Sequence, residues 1–200
     1  MKINNIVYLT DDYVYLKHKK NNNIIKYKLN KNIVEAGKIA NQQKFIKSYE
    51  QLLNINHLNN SLFGETIKIL ISPNYNQADI RILKNLFMCF NYRKVIVENI
   101  FKLLKLDKNS FYINGYEEYI ELFYLDEFNK NNYLLINTNL FFTTDDFLKY
   151  LKYRVKNKEL YLLGNSDLLS EIFTFFEEKY NNKTFMFSNN ELYLINKAKF

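Results

Sequence analysis

Four pairs of adjacent carboxylates, Asp11-Asp12, Glu117-Glu118, Asp145-Asp146 and Glu177-Glu178, are the residues of this chain best suited to proton transfer or cation binding. Carboxylate pairs do acid–base work when their surroundings push their pKa values apart. These four stand where turns and solvated helix faces place acids in any case, so no catalytic residue is assigned. His18 and His57 are far apart and have no motif around them, so no Ser-His-Asp arrangement is legible. Cys89 is the single cysteine, which excludes a disulfide framework and a cysteine metal site. It lies in the apolar run Leu86-Phe87-Met88-Cys89-Phe90 and is expected in the core. No metal site is expected.

The elements that must position these residues are built from an unusual composition. The chain has 200 residues, 48% of them hydrophobic and 24% charged, which suits a globular protein with one large core or two small ones. It has 17 Tyr and 17 Phe but only four Gly, so few positions allow the close backbone approach that phosphate-cradling loops need. The net charge of +7 is spread thinly among acids and is carried almost entirely by Lys. The nearest thing to a basic cluster is Lys17, Lys19, Lys20, Lys26, Lys28 and Lys31, read as a solvated hairpin surface rather than a nucleic-acid site; no DNA partner is expected. The N-terminal residues lack a signal-peptide apolar region, and no stretch of 18 apolar residues exists. A cytoplasmic location and no transmembrane segment are expected.

Alternation predicts strands at 6–9, 13–16 and 24–29, joined by polar turns at 10–12 and 21–23. Residues 35–58 read as a helix, with Phe45, Tyr49 and Leu52 on one stripe. A strand at 67–71 follows, then a helix at 77–90 capped by Asn76 with Asp79 in its first turn. A strand at 94–98 leads to a short helix at 99–106. The second half repeats the plan. Strands are expected at 111–113, 119–125 and 133–141, and a helix capped by Thr143 or Thr144 runs to 155. A strand at 159–163, a helix at 167–179, a strand at 184–187 and a terminal helix after Asn190 complete the chain. Each half therefore reads as a β-meander followed by helix, strand and helix.

The segment 69–104, ILISPNYNQADIRILKNLFMCFNYRKVIVENIFKLL, resembles the core of bacterial actin homologues of the MreB and FtsA type. An apolar strand, the Pro73 loop, a helix, a second strand ending in Glu98 and a further helix fall in the family's order. The segment 160–198, LYLLGNSDLLSEIFTFFEEKYNNKTFMFSNNELYLINKA, resembles the family's adenosine-motif region. The resemblance implies a two-lobed actin-like (ribonuclease-H-like) α/β fold with reduced inserted subdomains. Residues 1–106 would form the first lobe, with a reduced insertion at about 35–64, and residues 107–200 the second.

The same resemblance implies lost chemistry. The family's first phosphate loop falls on Tyr8-Leu9-Thr10-Asp11-Asp12, which has no Gly and carries two acids. The second falls on residues 111–123: the family's Asp becomes Tyr112, its Gly run Asn114-Gly115-Tyr116, and its Thr pair Glu117-Glu118. The adenosine motif keeps only Gly164. Bulky Phe101, Leu103 and Leu104 replace small residues after Glu98 and would fill a nucleotide cleft. No cofactor is expected, and the chain reads as a pseudo-ATPase, not an enzyme. Its expected role is a non-catalytic scaffold that binds a protein partner of the cytoskeletal, division or membrane-associated kind. The candidate interface residues are Phe45, Tyr49 and Leu52 on the first helix and Phe175 and Phe176 on the helix at 167–179. Self-association is compatible with the fold, but long filaments are not expected. The competing readings are a divergent nucleotide-binding ATPase, which would bind ATP, and a basic nucleic-acid-binding module, which would bind with strong salt dependence.

Overall fold

The computed structural model describes the chain except residues 1, 2, 20–22, 36, 59–63, 105, 116–118, 127, 129, 156, 157, 164–166, 181, 188 and 189, and describes the backbone alone at 101, 187 and 190–193. The chain divides into two compact units, Met1–Leu103 with Leu194–Phe200, and Leu104–Tyr193. The second lobe expected over 107–200 differs at its end, because residues 194–200 pack with the first unit.

The first unit opens with the meander β1 (Asn5–Leu9), β2 (Tyr13–His18) and β3 (Ile24–Lys28). A two-strand hairpin, β4 (Val34–Glu35) and β5 (Lys38–Ile39), precedes helix α1 (Gln42–Ile55). Strand β6 (Thr66–Ile71), helix α2 (Gln77–Met88), strand β7 (Lys94–Asn99) and a 3-10 turn at Ile100–Lys102 follow. The main sheet has the order β3-β2-β1-β6-β7, antiparallel through the meander and parallel from β1 onward. Alternation puts Val7, Leu9, Val14, Leu16, Ile67, Ile69 and Val95 on one face, in a core completed by Phe45, Tyr49, Leu52, Leu83 and Phe87 of the two helices. Rings dominate that core. Tyr49 lies 5.1 Å from Phe87 edge-on and 4.7 Å from Phe90, the geometry aromatic quadrupoles favour.

Residues 194–200 hold to the same unit through β2 and β6. Lys17 Nζ donates to Asn196 Oδ1 at 3.2 Å, and Lys68 Nζ donates to the Lys199 carbonyl at 2.7 Å. Lys68 also pairs with Glu98 at 3.1 Å, so its ammonium is offset by a carboxylate. The Phe200 ring lies under Lys17 at 5.5 Å and Lys19 at 5.9 Å.

The second unit repeats the order with β8 (Ser110–Gly115), β9 (Tyr119–Leu125), β10 (Asn131–Asn137), α3 (Thr144–Val155), β11 (Glu159–Leu163), α4 (Asp167–Tyr180) and β12 (Thr184–Phe187), and α5 (Asn190–Lys197) starts in it and ends in the first unit. Its sheet runs β10-β9-β8-β11-β12, the same meander-then-parallel arrangement. Phe111, Ile113, Ile120 and Leu122 of the sheet pack with Phe147, Leu151, Ile172 and Phe176 of α3 and α4. The two mixed α/β sheets expected from the repeated pattern are present.

Four local features depart from the sequence reading. The helix expected from 35 begins only at Gln42, because Gly37 takes a positive φ of 73° and turns β4 into β5, and Asn41 then caps the helix by accepting the Lys44 N–H at 3.0 Å. The helix expected at 99–106 is a single 3-10 turn; one turn suffices to bury Ile100, and a short helix does not recover its nucleation cost. Strand β10 stops at Asn137, whose side chain accepts the Asn139 N–H at 2.9 Å and starts a 3-10 turn where strand was expected. Cys89 is exposed, not core: Leu86, Phe87 and Phe90 occupy the inward positions of α2 and its end, which turns Met88 and Cys89 outward.

Candidate functional site

The turn between β1 and β2 is where the resemblance places the first phosphate loop. It closes on itself. Thr10 N–H donates to the Tyr13 carbonyl at 2.9 Å, and Tyr13 N–H donates to Thr10 Oγ1 at 3.1 Å. The Asp12 carbonyl accepts Leu29 N–H at 2.7 Å, and the Asp11 carboxylate accepts Gly37 N–H at 2.9 Å. Two of the turn's backbone donors are thus spent inside it, and its tip carries two acids.

Gly37 links this turn to a small polar network. Its carbonyl accepts the Tyr75 hydroxyl at 2.8 Å. The next residue, Lys38, pairs with Asp79 at 2.8 Å and lies 5.6 Å from the Tyr75 ring centre. Asp79 also closes a capping box at the start of α2: its backbone N–H donates to Asn76 Oδ1 at 2.9 Å, and its carboxylate accepts Asn76 N–H at 3.1 Å. The Lys38 hydrogen bond, then the Asn76 bond and the Lys38 charge, hold the Asp79 carboxyl below its ordinary range against the opposing effect of burial. A cavity of about 110 Å³ opens beside this pair, floored by Ile39, Ile82, Leu83 and Leu86 and rimmed by Gln42. Sequence reading found Asn76 and Asp79 but missed Gly37, Lys38 and Tyr75. The available signal was Gly37 itself, one of only four glycines.

In the second unit, Tyr112 is buried and stacked on Tyr161 at 4.5 Å. Asn114 is also buried, and its amide donates to Glu121 Oε2 at 2.9 Å. The Tyr133 hydroxyl donates to Glu121 Oε1 at 3.0 Å, so this fully buried carboxylate is hydrogen-bonded on both oxygens. Tyr116, Glu117, Glu118 and Gly164 lie outside the described residues, as does Lys20 of the basic cluster. The remaining acid pairs lie on α3 and α4. Thr143 Oγ1 accepts Asp146 N–H at 3.2 Å and donates to its carboxylate at 2.9 Å, capping α3, and Glu177 and Glu178 are exposed on α4. Within the basic cluster, Lys17 is buried against Asn196, and Lys26 caps the Tyr13 ring at 3.9 Å. Among the described residues no group of three or more His, Cys, Asp or Glu is placed to hold a metal, and no helix is long and apolar enough to cross a membrane.

The candidate interface is corrected by burial. Phe45, Tyr49, Leu52 and Phe176 are each 0% exposed and Phe175 is 7% exposed, so none of them is available to a partner. The two amphipathic helices bury their apolar stripes against their own sheets. The large apolar side chains open to solvent lie elsewhere, with Phe142 and Leu140 before α3 and Tyr153 on α3 the most exposed of those on the second unit's β10–α3 segment. Leu104 is buried at 6% exposure and Leu103 is partly buried; the Phe101 side chain lies outside the described residues.

No protein-family profile and no curated protein matches the sequence. Solved structures do match. MreB 5 of Spiroplasma citri, bound to AMPPNP, is similar with a TM-score of 0.62 at 11% identity, over 98% of this chain and 95% of that one. The ethanolamine utilization protein EutJ from Carboxydothermus hydrogenoformans is similar with a TM-score of 0.64 at 9% identity, over 98% and 89%. A Bacteroides thetaiotaomicron protein with an actin-like ATPase fold gives 0.58 at 11% identity, over 96% and 95%. The chain has the actin-like ATPase fold.

Proposed function

We propose that this chain is a non-catalytic actin-like scaffold, a pseudo-ATPase that binds another protein, in the setting of bacterial cell shape, division or envelope assembly. The observation that carries this reading is the β1–β2 turn. A triphosphate needs free backbone N–H groups and little negative charge; here Thr10 and Tyr13 satisfy one another, and Asp11 and Asp12 occupy the tip. Tyr112, at the position the resemblance gives to the second loop's acid, is stacked into the second unit's sheet. These residues do not fit a magnesium nucleotide, and no chemical step is assigned to them. Calorimetric titration with Mg-ATP tests the reading. No heat of binding is expected at 1 mM ligand, which corresponds to an affinity weaker than about −4 kcal/mol. A micromolar dissociation constant would overturn it in favour of a divergent ATPase.

A further inference from the structure

Each main sheet ends in two edge strands, and an open edge is a template for another strand. Three of the four edges carry a device against this. Strand β3 has Lys26 and Lys28, and β7 has Lys94 and Glu98. On β10 the backbone N–H of Tyr133 is already accepted by the side-chain oxygen of Asn132 at 2.9 Å. Strand β12 differs: Thr184-Phe185-Met186-Phe187 contains no charge and no proline, and Phe185 is 43% exposed. Leu160 N–H donates to the Lys183 carbonyl at 2.9 Å, so the Lys183 backbone faces β11, and by alternation the backbone groups of Thr184 and Met186 face away from the sheet.

The same edge terminates a row of rings. Tyr112 on β8, Tyr161 on β11 and Phe185 on β12 stack at 4.5 Å and 14°, then at 5.1 Å and 21°. These steps match the roughly 4.7–4.9 Å spacing of neighbouring strands, so the row advances one strand per ring and stops at Phe185.

We propose that β12 is the interface of a symmetric homodimer, in which the β12 strands of two copies pair antiparallel and extend both the ladder and the row of rings. A second copy is the occupant because the strand is complementary to itself. With residue 185 on the two-fold axis, the outward backbone groups of Thr184 in each copy meet those of Met186 in the other, and the two Phe185 rings fall on the same side of the joined sheets. Each copy then supplies the ring that the other's row needs next. Charge does not oppose it: the strand is neutral, Lys183 is 3.5 Å from Glu159 of its own sheet, and the two Lys183 side chains fall at opposite ends of the antiparallel pair. A closed two-fold contact of this kind makes dimers and does not propagate.

Sedimentation analysis of the full chain from micromolar to millimolar concentration tests the proposal. A concentration-dependent dimer is expected for the wild type. Phe185→Lys charges the end of the ring row, and Thr184→Pro removes an outward N–H at an edge position that tolerates proline; each should raise the dimer Kd by about tenfold or more while the melting temperature of the dilute monomer is kept. Hydrogen exchange on the unmodified protein is independent of how the variants fold: the Thr184 and Met186 amides should gain protection as concentration rises. A wild type that stays monomeric throughout, a dimer that leaves those amides unprotected, or one that both folded variants leave intact overturns the proposal. So does a monomer whose β12 instead captures an extended segment of a different protein.

Discussion

The hydroxyls of Tyr49 and Tyr92 meet 3.0 Å apart inside the core of the first unit, each ring fully or almost fully buried. A phenol deep among Phe45, Phe87 and Phe90 would be costly without a partner, and each supplies the other's hydrogen bond. The pair therefore decides what α1 is for. Its aromatic stripe is the inner wall of the first unit.

Truncating that wall should destabilise the fold. Tyr49→Ala and Phe45→Ala are each expected to cost about 3–5 kcal/mol, the range for large-to-small aromatic core changes. Tyr49→Phe keeps the ring but removes the hydroxyl that meets Tyr92, and should cost about 0.5–1.5 kcal/mol. Denaturant melts of the three variants give the ranking. An unchanged midpoint for Phe45→Ala would return the stripe to the surface.

Alkaline pH should weaken the same core. Burial, and then the neighbouring Tyr92, raise the Tyr49 pKa well above its ordinary 10.0. The unfolded chain releases this proton near 10 while the folded one retains it, so the stability is fully present below 10 and is lost as pH rises above it. Stability against pH, compared between wild type and Tyr49→Phe, should show a steeper alkaline decline in the wild type.

The start of α2 should respond to acid. The Asp79 carboxyl is held below its ordinary 3.8, so its contribution is present above that value and is lost as pH falls through the depressed folded pKa. Asp79→Asn should flatten that part of the acid limb. The Lys38 pair is partly exposed, so added salt should screen it and its removal should cost little. Asn76→Ala, which deletes the cap, should cost about 1 kcal/mol at neutral pH by thermal melting.

Gly64 precedes β6 with a φ of +64°, and a Cβ added there would lie 3.0 Å from the Arg93 nitrogen and the Asn91 carbonyl. Gly64→Ala should cost about 1–2 kcal/mol for the left-handed backbone alone, and more for the contact with backbone that cannot easily give way. A melting temperature equal to wild type would contradict this.

The strands that form the two meanders were legible because alternation and polar turns are local signals, and Asn76 with Asp79 announced α2 for the same reason. The limits arose where a partner lies far along the chain. The stripe through Phe45, Tyr49 and Leu52 was visible, but its burial depends on Phe87 and on Tyr92, 43 residues from Tyr49. Lys38 and Asp79 are 41 residues apart and gave no sign of meeting. The helix at 35 was overextended because Ile39 continues the helical period by coincidence, while Gly37, which ends that possibility, acts through φ and not through hydrophobicity.

The hydrogen bond from Lys17 to Asn196 spans 179 residues and sets an order of events during synthesis. The meander of the first unit leaves the ribosome early, yet the residues that pack with it at 194–200 are made only after the whole second unit. At ordinary elongation rates of about 5–20 residues per second, β2 must wait roughly 10–40 s for Asn196. In that interval the buried ammonium of Lys17 and that of Lys68 lack these acceptors. The first unit is thus the earlier to be translated and cannot be the earlier to be finished, so a nascent chain stalled within the second unit should present a protease-sensitive first sheet.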